Sequence, residues 1–200
     1  MARNSEKIAQ RIVDAFRPRE LPEDDPMFLS HSSEVDMQRI ERLAQLTHWM
    51  DFPRDVLCDN PLALAFTTPK AFAWLLPACM VVSVTQYSEC DTLTSSVITC
   101  LTPPDEADSR QFETLVEEVR ALDPDLLVEE FQTDCLHADD ELLEHFMERV
   151  GGLNPHEKAA VRDYLDYIDA TYGEDFPVFG PKQALDRYWA RVASPTREES

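Results

Sequence analysis

The sequence predicts an all-α chain: one compact, irregular helical domain of about seven helices. Three observations carry that prediction. Apolar residues recur at three- and four-residue spacing along most of the chain. The chain has 14 prolines, and they fall mainly between the periodic segments, where they punctuate helices. Only 4 glycines occur, all after position 150, so the Gly-rich turns of hairpin proteins are almost absent.

Taken in order, Ile8, Ile12 and Phe16 mark a first helix centred near residue 11 that stops at Pro18. Residues 18–32 hold three prolines and no periodicity, and read as an irregular linker or wrap. Ser33 with Asp36 resembles a capping box, and Met37, Ile40, Leu43 and Ala44 then line a second helix near residue 40. Thr68 precedes Pro69, a good cap and first position for a helix centred near residue 75. Pro77 should kink that helix, because an interior proline lacks one hydrogen bond and crowds the preceding turn. The end of this segment, Met80 to Tyr87, is β-branched enough to leave a minor strand near 80–87 as the alternative to helix. A further apolar segment runs from Thr92 to Leu101.

The second half is more regular. Phe112, Leu115, Val116 and Val119 mark a helix near residue 116. Leu142, Leu143, Phe146, Met147 and Val150 mark another near 146, expected to bury that stripe and to end at Gly151–Gly152. Asn154, Pro155 and Glu157 start a helix near 164 that carries Val161, Tyr164, Leu165, Ile168 and Tyr172 on one face. Ala184, Leu185, Tyr188, Trp189 and Val192 make a last helix near 187, and residues 194–200 are a frayed polar tail. The aromatics Phe66, Phe72 and Trp74, and the pair Tyr188–Trp189, sit at helical spacing and read as core. No domain boundary is visible within 1–200.

Composition excludes several functions. The formal net charge is −21, with 39 acidic residues against 18 Lys and Arg. Nucleic-acid binding needs cations to displace counterions from phosphates, and an anionic lipid surface would repel this chain. The longest apolar run, the fourteen residues Ala71 to Val84, is interrupted by Pro77 and falls short of the roughly 20 residues a membrane span needs. Five cysteines without a CxxC pair read as free, mostly buried thiols in a reducing compartment. With no signal-type apolar segment near the start, the expected location is cytoplasmic.

No motif of known chemistry is present. GxGxxG, GxxxxGK[ST], GxSxG, HExxH and Glu-x-x-His are all missing, so no catalytic, cofactor or metal residue is assigned and no cofactor is expected. Glu141 and His145 share a helix face, but two ligands do not make a metal site, and a solvated ion pair accounts for them.

The positive feature is charge. Asp105 to Glu148 holds 16 acids against Arg110 and Arg120 alone, yet keeps its helical apolar stripes, as a folded acidic surface would. Crowded like charges cost stability, which suggests a face that meets a basic protein. The candidates for such contact are Glu117, Glu118, Glu129, Glu130, Asp140, Glu141, Glu144 and Glu148. Glu141, Glu144 and Glu148 are expected on the solvent side, opposite the Leu142, Leu143, Phe146 stripe.

The string Ala65 to Ala78, AFTTPKAFAWLLPA, resembles the signature of an uncharacterised bacterial domain family. In that family an apolar strip, a TP-x-AF turn and an LLPA helix precede an acidic middle segment. Leu153-Asn154-Pro155, Lys158 to Val161, Tyr164 to Tyr167 and Ala184 to Trp189 are similar too, so the likeness spans roughly residues 50–192. It implies a bacterial origin and a small single domain, and no catalytic residues. The resulting expectation is an acidic cytoplasmic protein-binding module, such as an immunity protein that neutralises a basic toxin. The alternatives are a small enzyme with a convergent, motif-free site, which the missing motifs lean against, and a structural or adaptor subunit of a bacterial complex.

Overall fold

A computed structural model describes residues 2–20, 27–28, 48–105, 139–176 and 179–192. It is mainly helical, as expected, with seven α-helices and four short 3-10 turns among those residues. The helices are α1 (Ala2–Phe16), α2 (Arg54–Asp59), α3 (Pro69–Thr85), α4 (Asp91–Leu101), α5 (Asp139–Gly151), α6 (Pro155–Tyr172) and α7 (Pro181–Arg187). No strand occurs among the described residues, and the one bridge, Phe28 to Thr67, is isolated. The expected helices near 40 and 116, the Ser33 cap and the 194–200 tail lie outside the described residues, as do most of 18–32.

The chain divides into two compact units, residues 1–102 with 148–200, and residues 103–147. In the first unit α3 is the central element. Its sequence PKAFAWLLPACMVVSVT is apolar on every side, so every residue from Ala71 to Met80 is buried. The Thr68 hydroxyl accepts from the Ala71 amide at the N-terminus, and Pro69 occupies the first turn where its missing N–H is harmless. The helix continues through Pro77 to Thr85, so the strand alternative over 80–87 is not realised. Local helical bonding prevails over β-branching there because α1, α4 and α6 pack against α3 and bury its side chains.

Around α3, each partner supplies one apolar stripe. Ala9, Ile12 and Phe16 are the buried face of α1. Leu93, Val97, Ile98 and Leu101 are the buried face of α4, a helix the sequence showed only as an apolar segment. The Ser and Thr hydroxyls of α4 donate back to carbonyls four residues earlier, Thr94 to Cys90 at 3.2 Å and Thr99 to Ser95 at 3.0 Å. That local bonding lets a Ser/Thr-rich stretch be helical with a buried side. Val161, Tyr164, Leu165 and Ile168 line α6, which is capped by Asn154 as expected, with Glu157 closing a capping box.

Two tryptophans tie helix ends together. Trp49 donates its ring N–H to the Phe16 carbonyl at 3.0 Å, and Trp189 donates to Leu101 at 2.6 Å. Trp74 and Trp189 are fully buried, in line with their reading as core. Phe66 departs from that reading, because it ends a 3-10 turn with its ring 44% exposed.

Cysteine chemistry is also corrected. Cys58, in α2, and Cys90, at the N-cap of α4, form a disulfide with Cα atoms 5.3 Å apart. Cys79 and Cys100 are free, and Cys135 lies outside the described residues. The sequence could not show this pairing, because it depends on how the chain packs α2 and the start of α4 together around the intervening α3.

Of the second unit, the described residues are 103–105 and 139–147. The latter form most of α5, whose last turn belongs to the first unit. Within 139–147, Phe146 is buried.

Candidate functional site

The acidic candidates converge, where they are described, on α5. Its sequence DDELLEHFMERVG places three acids in the first turn and Arg149 in the last. Both placements suit the helix dipole, which favours anions at the N-terminus and cations at the C-terminus. Asp140 and Glu141 therefore lie in the helix as expected. Glu144 and Glu148, four residues apart, are both exposed and share one face. Like charges at that spacing cost a few tenths of a kcal/mol, roughly, in an isolated helix. Among the described residues, neither carboxylate has a cation opposite it. Glu117, Glu118, Glu129 and Glu130 lie outside the described residues.

The other face of α5 differs from expectation. Phe146 and Val150 are buried, but Leu142 is 48% exposed, Leu143 42% and Met147 47%. The expected separation into an acidic solvent side and an apolar core side thus fails for three of five apolar positions. Their heptad-like spacing cannot distinguish a residue facing the core from one facing an open surface.

Arg149 takes a place in the core that the sequence reading did not assign. Its residue is 6% exposed, and its guanidinium lies over the Phe72 ring, 5.1 Å from the centroid. Nη2 donates to the carbonyls of Ala65 and of Thr67, the latter at 3.1 Å. Those carbonyls end the 3-10 turn Ala63–Phe66, so Arg149 caps a chain reversal from inside. Nε finds no acceptor among the described residues, and burial lowers the Arg149 pKa from its ordinary value. A signal existed: Arg149 shares its helix face with Phe146 and Val150, where a solvated arginine would not sit.

The two free thiols among the described residues are not activated. Burial pushes the Cys79 thiol far above its ordinary value, and the neighbouring Cys100 thiol adds to the shift. Cys100 is raised to about 11 by burial, with Arg149 and a hydrogen bond from Ser96 pulling it down. Neither thiol is an activated nucleophile at neutral pH. Tyr87 stacks flat on Tyr172, ring centroids 3.6 Å apart, and donates to Asp175 at 2.8 Å. Burial and that carboxylate raise its pKa.

An open cleft of about 440 Å³ beside α6 and α7 is lined by Asp169, Lys182, Asp186 and Arg187, with Phe176 and Gly180 among its walls. No Ser, Cys or His is among its described lining residues, so it brings no hydroxyl or thiol nucleophile up to an imidazole base. Among the described residues, no group of three or more His, Cys, Asp or Glu is placed to hold a metal ion, and no helix is long and apolar enough to cross a membrane. Compared with protein-family models, curated proteins and solved structures, the chain matches none.

Proposed function

We propose that this chain is an acidic protein-binding module that docks a basic protein partner through α5, with neutralisation of a toxin as its role. The observation that carries the reading is the pair Glu144 and Glu148, exposed on one face of an ordered helix with no cation opposite them among the described residues. A net charge of −21 adds long-range attraction for a cationic partner and speeds encounter. The expected cytoplasmic setting loses one of its supports, since the Cys58–Cys90 disulfide belongs more naturally to an oxidising environment.

The test is kinetic. Affinity capture from the source cells supplies a partner, and association is then timed for wild type and for the double variant Glu144→Gln, Glu148→Gln. Association of the variant should be slower by about threefold or more near 20 mM salt, and the difference should close near 300 mM. Equal rates at low salt would remove these two residues from the interface and the reading with them.

The adaptor reading draws support from a separate observation, the half-exposed Leu142, Leu143 and Met147. It predicts binding that salt hardly changes.

A further inference from the structure

The apolar residues of α5 that face solvent form a pattern of their own. Leu143 and Met147 are four residues apart, so they stand one above the other as a ridge. Leu143 is 42% and Met147 47% exposed. Glu144 is the next residue around the helix and borders the ridge on its outer side. Apolar residues clustered on a surface and rimmed by charge are the anatomy of a docking site, and methionine in particular adapts to varied partners. A second copy of this chain is a poor occupant, because it would bring Glu144 and the rest of a −21 charge against themselves.

We propose that the Leu143–Met147 ridge receives an amphipathic helix of a partner protein whose apolar stripe is flanked by Lys or Arg. A ridge at four-residue spacing fits the groove between the side-chain rows of another helix. The basic flanks of that helix then lie against Glu144. This deepens the basic-partner reading and rests on it: charge selects the partner, and the ridge supplies the contact that salt does not screen.

The test uses two labelled synthetic peptides of identical Leu and Lys content. One places Leu at i, i+3, i+4 and i+7; the other scrambles the order so that no stripe forms. Anisotropy titrations near physiological salt should show the striped peptide binding at least about tenfold more tightly. The double variant Leu143→Ser, Met147→Ser should abolish that preference at every salt concentration while its melting temperature falls by no more than about 5 °C, as the loss of two half-covered side chains from a helix requires. Glu144→Gln should weaken both peptides alike, and only at low salt.

Equal binding of the two peptides, or an undiminished preference in the double variant, overturns the proposal. A melting temperature that falls by more than about 10 °C in the double variant overturns it as well, since the ridge would then be internal packing. So would a wild-type dimer in sedimentation that the double variant abolishes, because the ridge would then belong to self-association. If Glu144→Gln weakens binding and the ridge variant does not, the basic-partner reading stands and this proposal alone falls.

Discussion

Arg19 grips the carboxylate of Glu157 with two hydrogen bonds of 2.6 Å, from Nε to Oε1 and from Nη2 to Oε2. Glu157 is 1% exposed, and its Oε2 also accepts from the Asn154 amide at 2.8 Å. The chain just past α1 is thereby fastened to the first turn of α6, with the Gly152 carbonyl accepting from Arg19 Nη2 at 2.5 Å as well. Breaking a buried pair from one side leaves an uncompensated charge, which costs roughly 3–5 kcal/mol. Arg19→Ala should lose about 3 kcal/mol in urea denaturation, since Arg19 itself is partly exposed. Glu157→Gln should lose less, because an amide oxygen still serves the Asn154 N–H. Equal losses would mean that the clamp works through packing and not through charge.

Arg149 poses the opposite case, a buried cation whose acceptors are carbonyls. Arg149→Ala removes two charge-assisted hydrogen bonds and the contact with Phe72, and should cost about 3 kcal/mol. Arg149→Met keeps the volume and should recover part of that loss, because the desolvation of a charge disappears with the charge. Arg149→Lys should be no better than Met, since an ammonium lacks the planar fork that reaches both carbonyls while lying on a ring. Chemical denaturation of the three variants ranks them. A lysine variant as stable as wild type would show that charge alone suffices.

These two arginines also mark where sequence reasoning stopped. Helix periodicity was legible wherever one stripe faces one core, as in Ile12 and Phe16 of α1 or Val161, Tyr164 and Leu165 of α6. The Asn154 cap of α6 was legible because it needs only neighbouring residues, Pro155 and Glu157. Arg19 and Glu157 are 138 residues apart, and Arg149 and Thr67 are 82 apart, so no local pattern announces either contact. At the candidate site the acids of α5 were legible by composition. The exposure of Leu142, Leu143 and Met147 was not, because hydrophobic spacing tells which residues share a face and not what lies opposite that face.

The Cys58–Cys90 disulfide closes a loop across 32 positions. Loop-closure entropy for a span of that length corresponds to roughly 3–4 kcal/mol of stabilisation. The variant Cys58→Ser, Cys90→Ser should therefore melt well below wild type, and adding a reductant should lower the wild type to the same level. A non-reducing digest should yield one peptide pair joined through these two cysteines. If reductant leaves the melting temperature unmoved, the crosslink contributes nothing to the folded state's advantage.

Alkaline pH should destabilise the fold, and Cys100 defines the window. Its native pKa is raised from 9.0 to about 11, chiefly by burial. Between those values the unfolded chain has released the thiol proton while the native chain still holds it. The native state then binds more protons, so stability falls as pH rises. The decline should begin as pH passes 9.0, and the contribution of Cys100 should be spent by about 11. Cys79 and Tyr164 are shifted in the same direction by burial and extend the decline further. One group wholly inside its window contributes a slope of about 1.4 kcal/mol per pH unit. Lysine deprotonation and thiol attack on the disulfide also set in at high pH, and two controls separate them. Unfolding is followed within seconds of a pH jump, before exchange proceeds, and Cys100→Ala is compared with wild type under the same conditions. The wild-type stability should drop between about pH 9 and 11, and the alanine variant should drop less steeply by about one group's slope. The variant starts lower because it leaves a small cavity, so the two curves converge as pH rises. Parallel curves would show that the Cys100 thiol titrates alike in the folded and unfolded chain, and that its burial carries no electrostatic cost.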